Sequence, residues 1–173
     1  MALFENCYPF MLANEDYTPP RYETVGDCGA QAISGINSAA FPLQFERINA
    51  LPQAERGDEV ETFYKAAFWN PYLAQVADDE VAKRVLDAAV NMGAGTAVKL
   101  LQQAVNWSRD SAPISLVVDG QWGPRTVEEV NNCNQDELVS EFRQARQEHY
   151  QAIVAANPAK AQYLDAWLAR ARK

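Results

Sequence analysis

The chain has a single histidine among its 173 residues. That scarcity excludes most zinc enzymes, whose sites take two or three His or Cys ligands at fixed spacing. Cysteine is nearly as sparse. Cys7, Cys28 and Cys133 are odd in number, far apart and form no Cys-x-x-Cys pair, a pattern that fits three reduced thiols made in a reducing compartment. Basic residues are outnumbered, 15 against 23 acidic, for a net charge of −8. This excludes a nucleic-acid binder that relies on a general basic surface. Apolar runs are short, Leu116-Val117-Val118 being typical, and fall far below the ~20 residues a membrane helix needs. The first residues, Met-Ala-Leu-Phe-Glu-Asn-Cys, lack the basic start and long apolar stretch of a standard secretory signal.

What is present is apolar content of 48%, enough to bury one core in a chain of this length. The charge is unevenly spread. From Arg143 onward six basic residues face two acidic ones, so this segment is basic on an otherwise acidic body. Such a segment suits either an anionic polymer or two solvated helix faces.

Hydrophobic periodicity predicts a mainly α-helical domain. A first helix is expected over 2–14, from the spacing of Leu3, Cys7, Phe10 and Met11, and must stop before Pro19-Pro20. Residues 15–42, rich in glycine and turn formers, read as a small irregular or β-hairpin lobe. Further helices follow. One carries Val60, Phe63, Tyr64 and Phe68 and ends at Asn70-Pro71. The next starts on Asp78 as its cap and breaks at Gly93-Ala94-Gly95, and another carries Val98, Leu101 and Val105. Asp119-Gly120-Gln121-Trp122-Gly123-Pro124 is a tight joint, with Pro124 suited to the first position of a helix. A long helix from Asp136 and a last one past Asn157-Pro158 complete the chain.

Four groups of residues are able to carry chemistry. Glu15 sits where a helix ends and a loop begins, and Asp27 follows 12 residues later in the glycine-rich segment. A Glu half buried by Phe10, Met11 and Tyr17 would be held protonated by desolvation and able to act as a general acid. A second carboxylate across a cleft would complete the pair that glycoside hydrolysis requires. Cys28 with His149 suits either a thiolate peptidase or an inert thiol beside a core histidine. Asp87 and Asn91, four residues apart on one helix face, are either buried hydrogen-bonding staples or cleft-lining groups. Trp69, Tyr72 and Trp122 belong to the core or face a saccharide groove.

Several segments, in order, resemble glycoside hydrolase family 108. Phe63-Tyr64 and Phe68-Trp69-Asn70-Pro71 are similar to its F-Y-x-x-x-W-x-P segment, and Asp87-Ala88-Ala89-Val90-Asn91-Met92-Gly93 to its F-D-x-A-V-N-x-G. Val118-Asp119-Gly120, Gly123-Pro124 and Thr126 are similar to the start of the C-terminal region called the predicted peptidoglycan domain. Arg143, Arg146, Tyr150, Trp167-Leu168 and Arg170 also fit that region. The resemblance implies a lysozyme-like, mainly helical peptidoglycan hydrolase of the N-acetylmuramidase type, without metal or organic cofactor. It implies one domain over 1–173, with a catalytic portion over 1–110 and a C-terminal portion over 111–173 packed on it. Glu15, opening the segment that matches E-G-G-Y, inherits the general-acid role and brings Tyr17 with it. Asp27, opening the segment that matches D-x-G-G-A-T-x-x-G-I, inherits the role of second carboxylate. Gln31, Ser34, Asp87, Asn91 and Trp69 are the expected substrate-side residues. The chain departs from the pattern in three places: Asp16 stands where the family has two glycines, the loop before Asp27 is longer, and Ala32 replaces a Thr. A Thr hydroxyl can hold a water where an Ala methyl cannot.

The expected partner is therefore peptidoglycan, with neither nucleic acid nor a membrane span involved. Synthesis is expected in a bacterial or phage-infected cytoplasm, with action in the periplasm or at the wall. Passage there would need a secretion apparatus, a holin or a tail particle, and an immunity protein is a further expected partner. A peptidoglycan amidase or endopeptidase on the same scaffold, or a non-catalytic wall-binding delivery protein, are the alternative functions.

Overall fold

The computed structural model describes residues 1–15, 20–27, 29–108 and 116–173. Tyr17 and Cys28 lie outside the described residues, as does the side chain of Asp27.

The helices are α1 (Phe4–Glu15), α2 (Pro42–Asn49), α3 (Arg56–Phe68), α4 (Asp79–Met92), α5 (Ala94–Trp107), α6 (Pro124–Asn132), α7 (Gln135–Ala156) and α8 (Leu164–Arg172). The centre of the molecule is α4, with α1 packed on one side and α5 on another, while α7 lies against α4, α5 and α8. Its sequence explains why. Asp78 caps it, its Oδ1 accepting from the backbone N–H of Glu80 at 2.6 Å and of Val81 at 3.1 Å. Asp79 and Glu80 then place negative charge in the first turn, which complements the helix dipole. Val81, Ala82, Val85, Leu86, Ala88 and Ala89 are all buried, so this helix meets neighbours on more than one side. Gly93 ends it at φ 88°, a left-handed conformation that glycine adopts without penalty, and α5 starts at the next residue.

The segment expected to be an irregular or hairpin lobe forms a three-stranded antiparallel sheet: β1 (Thr24–Asp27), β2 (Ala30–Ile33) and β3 (Ile36–Asn37). β1 pairs with β2 from Thr24↔Ile33 to Asp27↔Ala30, and β2 pairs with β3 through Ile33↔Ile36. Ser34 and Gly35 make the turn between β2 and β3, at φ 46° and 80°. Positive φ at both central residues is the turn whose twist matches that of the flanking strands. Ile33 and Ile36, at either side of this turn, are fully buried and pin the lobe to the helical core.

Two elements differ from the sequence reading. The helix α2 was not expected, because its eight residues supply only Phe45 and Ile48 as buried anchors, too few to show a period. Helix α3 begins two residues before Asp58, where Arg56 is buried by contacts distant in sequence. Pro124 does begin α6, and Asn157-Pro158 does separate α7 from the last segment. Among the described residues no helix is long and apolar enough to cross a membrane.

Candidate active site

Glu15 is the last residue of α1, and its carboxyl lies in a cleft of about 450 Å³ between that helix end and the sheet. Asn14, Glu15, Glu23, Val25, Ser34 and Gly35 line the cleft with Gly26. The Ser34–Gly35 turn brings backbone against the acid. A Cβ on Gly35 would sit 2.5 Å from Glu15 Oε2 and 2.8 Å from the Tyr64 hydroxyl. Glycine is therefore required there twice, by its φ of 80° and by the space the carboxylate occupies. The turn is held from below by Tyr64, whose hydroxyl donates to the Ser34 carbonyl at 2.5 Å.

On its other side Glu15 meets Arg170 of α8. One guanidinium nitrogen, Nη2, donates to Glu15 Oε1 and also to Asp87 Oδ1, the latter at 2.8 Å. Arg170 Nε adds a bond to the same Asp87 oxygen at 3.0 Å. Asp87, on α4, has no exposed surface, and its second oxygen accepts from the equally buried Arg146 of α7 at 2.7 Å. Asn14 Nδ2 completes the set at 2.9 Å. Two carboxylates and two guanidinium groups from four helices thus form one neutral cluster, which is what makes burying four charges tolerable. Burial works to lower the pKa of Arg170, but the paired charges of Asp87 and Glu15 hold it above the ordinary arginine value, so Arg170 is cationic at every working pH.

A second rung repeats the first four residues further along both helices. Tyr150 of α7 donates to Asn91 Oδ1 of α4 at 2.5 Å, as Arg146 does to Asp87. Burial raises the Tyr150 pKa, keeping the hydroxyl a donor. The last turn of α8 is fixed as well. The Lys173 carbonyl accepts from Arg84 at 2.5 Å and from Arg143 at 2.7 Å, and Lys173 Nζ donates to Asn14 Oδ1 at 2.6 Å.

The expected residues therefore fall into groups. Glu15 and Ser34 line the cleft. Gln31 and Trp69 are not among its lining residues. Gln31 is exposed on β2. Trp69 packs edge-on against Phe4, with ring centroids 5.6 Å apart, and lines a separate cavity of about 210 Å³ together with Trp122. Of the two readings left open for Asp87 and Asn91, the structure makes Asp87 a buried staple, while Asn91 is exposed, accepts from Tyr150 and does not line the cleft. Asp87 stands behind Glu15 through Arg170. The neighbours expected around Glu15 are also different. Met11 is in the core, and Phe10 stacks under Lys83 and Arg84. His149 is half buried, and burial lowers its pKa, in keeping with a neutral packed ring. Among the described residues no group of His, Cys, Asp and Glu is placed to hold a metal ion.

Sequence reasoning placed Arg146, Tyr150 and Arg170 in the C-terminal motif but not beside Glu15 and Asp87, and it did not single out Glu23 as a cleft residue. The signal for the first two was present. Asp87/Asn91 and Arg146/Tyr150 are both acceptor or donor pairs at four-residue spacing on helices, which is the pattern two packed helices need to form matching rungs.

A mainly helical body with a small antiparallel lobe, and a helix-end glutamate in the cleft between them, defines a lysozyme-like fold. The family resemblance read from the sequence is borne out. Residues 23–93 match the Glycosyl hydrolase 108 family and residues 96–172 match the Predicted Peptidoglycan domain. Glu15 lies just before the first matched segment, and Arg146 and Arg170 lie inside the second. In structure the chain is similar to SagA of Brucella abortus, with a TM-score of 0.67 and 21% identity over 98% of this chain and 89% of that one. No curated protein matches the chain. The two matched families support a lysozyme-like hydrolase that acts on peptidoglycan.

Proposed function

We propose that the protein is an N-acetylmuramidase that cleaves the glycan strand of peptidoglycan, with Glu15 as general acid. One observation carries this reading: a helix-end carboxyl, itself 16% exposed, faces a cleft large enough for a sugar ring. In this role Glu15 gives its proton to the glycosidic oxygen as the bond to the anomeric carbon lengthens. Asp27, in the strand that borders the cleft, is the second carboxylate, with the role of stabilising the positive charge that builds on the sugar ring. Ser34 and Gly35 set the floor against which the acid is aimed. Arg146 and Arg170 are neutralised inside the cluster, and the exposed Lys160, Arg172 and Lys173 offset the acidic body, so that an anionic wall polymer is not repelled from the whole surface.

The test is digestion of purified wall by the native protein beside Glu15→Gln and Asp27→Asn, with released reducing sugar ends measured and the fragments identified by mass spectrometry. The expected result is new reducing ends at N-acetylmuramic acid from the native protein and at least a hundredfold fewer from Glu15→Gln. Equal, nonzero activity of the native and Glu15→Gln proteins sinks the assignment. Fragments cleaved at amide bonds instead would identify an amidase or endopeptidase.

A further inference from the structure

The cleft that holds Glu15 contains another carboxylate, Glu23, which neither motif reaches. Its placement follows from the chain on either side. Thr24, the next residue, is turned away from the cleft. Its hydroxyl accepts from Arg56 Nη1 at 2.9 Å and donates to Asn49 Oδ1 at 2.8 Å. Successive side chains of an extended strand point to opposite faces, so Glu23 and Val25 project to the other side, and both line the cleft.

The backbone beneath Glu23 is fixed. Arg56, 9% exposed, donates to the carbonyls of Tyr22 at 3.0 Å, Asn49 at 3.1 Å and Leu51 at 3.1 Å. Gln53 Nε2 adds a bond to the Arg21 carbonyl at 2.5 Å. Tyr22 itself is held at φ 54°, a conformation that costs a non-glycine residue energy and persists only where the surroundings impose it. An exposed acid on so firmly held a strand entrance is presented to the cleft. Among the described residues Glu23 has no ion-pair or hydrogen-bond partner, in contrast to Glu15, whose carboxylate Arg170 occupies.

The chemistry has a vacancy that fits it. Hydrolysis needs a group to take a proton from water. The family's Thr position carries Ala32, which is buried and offers only a methyl group, and Gln31 does not line the cleft. We propose that Glu23 is the general base of glycan cleavage. This inference rests on the hydrolase reading above and deepens it. The water oxygen forms a bond to the anomeric carbon as its proton passes to the Glu23 carboxylate. The bond from that carbon to the glycosidic oxygen breaks, and the proton of Glu15 goes to the departing oxygen. One water is consumed, Glu23 ends protonated and Glu15 ionised, and exchange with solvent resets both. Attack by water on the face opposite the leaving group inverts the anomeric configuration.

The test uses the whole chain on purified glycan strands, with Glu15→Gln, Glu23→Gln, Glu23→Ala and Asp27→Ala measured side by side. Glu23→Gln is expected to lose roughly 10²–10⁴-fold in turnover. Its circular dichroism and melting curve should stay native, since the side chain is exposed. Sodium azide, a nucleophile that needs no base, is expected to restore turnover to Glu23→Ala and to give a glycosyl azide of inverted configuration. A merely structural role for Glu23 would not be rescued in this way. Native-like turnover of Glu23→Gln, a loss in Glu23→Ala that azide leaves unchanged, or azide rescue of Asp27→Ala in its place each overturns the proposal. If Glu15→Gln is inactive while Glu23→Gln is native, only the base assignment falls. If Glu15→Gln is fully active, the hydrolase reading falls with it.

Discussion

Arg170, on the last helix, donates to the carboxylate of Glu15, at the end of the first helix, across 155 residues of sequence. The same guanidinium is anchored on buried Asp87, so the candidate acid is aimed by a residue of the segment that matches a peptidoglycan domain. Whatever that segment contributes to wall binding, it also holds a carboxylate of the cleft.

Removing Arg170 should therefore alter the pH dependence as well as the rate. Its positive charge favours the ionised form of the carboxyl it touches, and a general acid works from the protonated form. Arg170→Met leaves the acid protonated to higher pH, so the alkaline fall in activity should move upward, while loss of aim lowers the maximum at least tenfold. Arg170→Lys keeps the charge and should keep the native limb. A pH–rate series on wall substrate reads both, and an unmoved alkaline limb in Arg170→Met would show that the two groups are not coupled.

Asp87 should be a stability residue of the first order. Asp87→Asn leaves Arg146 buried without its counter-ion, a loss on the order of 3–5 kcal/mol, against about 5–15 kcal/mol for a typical domain. Asn91→Ala removes the acceptor of Tyr150 and should cost only about 1–3 kcal/mol. Urea unfolding of the two variants checks the order, which inverts if the ion pair is dispensable.

Gly35→Ala tests the close approach of turn and acid. The left-handed φ of 80° costs a β-carbon roughly 1–2 kcal/mol, and that atom would lie 2.5 Å from Glu15 Oε2. The carboxylate must shift, so turnover should drop more than tenfold with only a modest fall in melting temperature. Unchanged turnover would mean that the position of Glu15 is not critical.

Cys7 should be inert. Burial, helped by the nearby Asp79 charge, pushes its thiol up to about 12. At pH 8 roughly one molecule in ten thousand would carry the thiolate that reacts with alkylating reagents. Peptide mapping after iodoacetamide treatment should find Cys7 unmodified in the folded protein and modified in urea.

Much of the architecture was legible locally. Asp78 as a cap, Gly93 as a break, Pro124 as a helix start and the apolar stripe of α3 each depend on interactions within a few residues. The lobe was placed but not resolved into strands, because its pairing joins short segments whose alternation is interrupted by Gly26, Gly29 and Gly35. Glu15 was legible as a helix-end acid. Its surroundings were not, because Arg170, Asp87, Gly35 and Tyr64 reach it or its turn from four distant segments.

The sequence by itself determined a mainly helical chain, the positions of its caps and breaks, and the family motifs that point to a glycan-cleaving site. Those properties are set by periodicity, backbone conformation and residue chemistry at short range. Only the tertiary structure decided that Asp87 is a buried staple rather than a groove residue, that Trp69 turns to another cavity, and that Glu23 shares the cleft with Glu15. The reason is burial: a charge becomes a staple when packing removes its water and supplies opposite charges, and that depends on how α4, α7 and α8 come together in space.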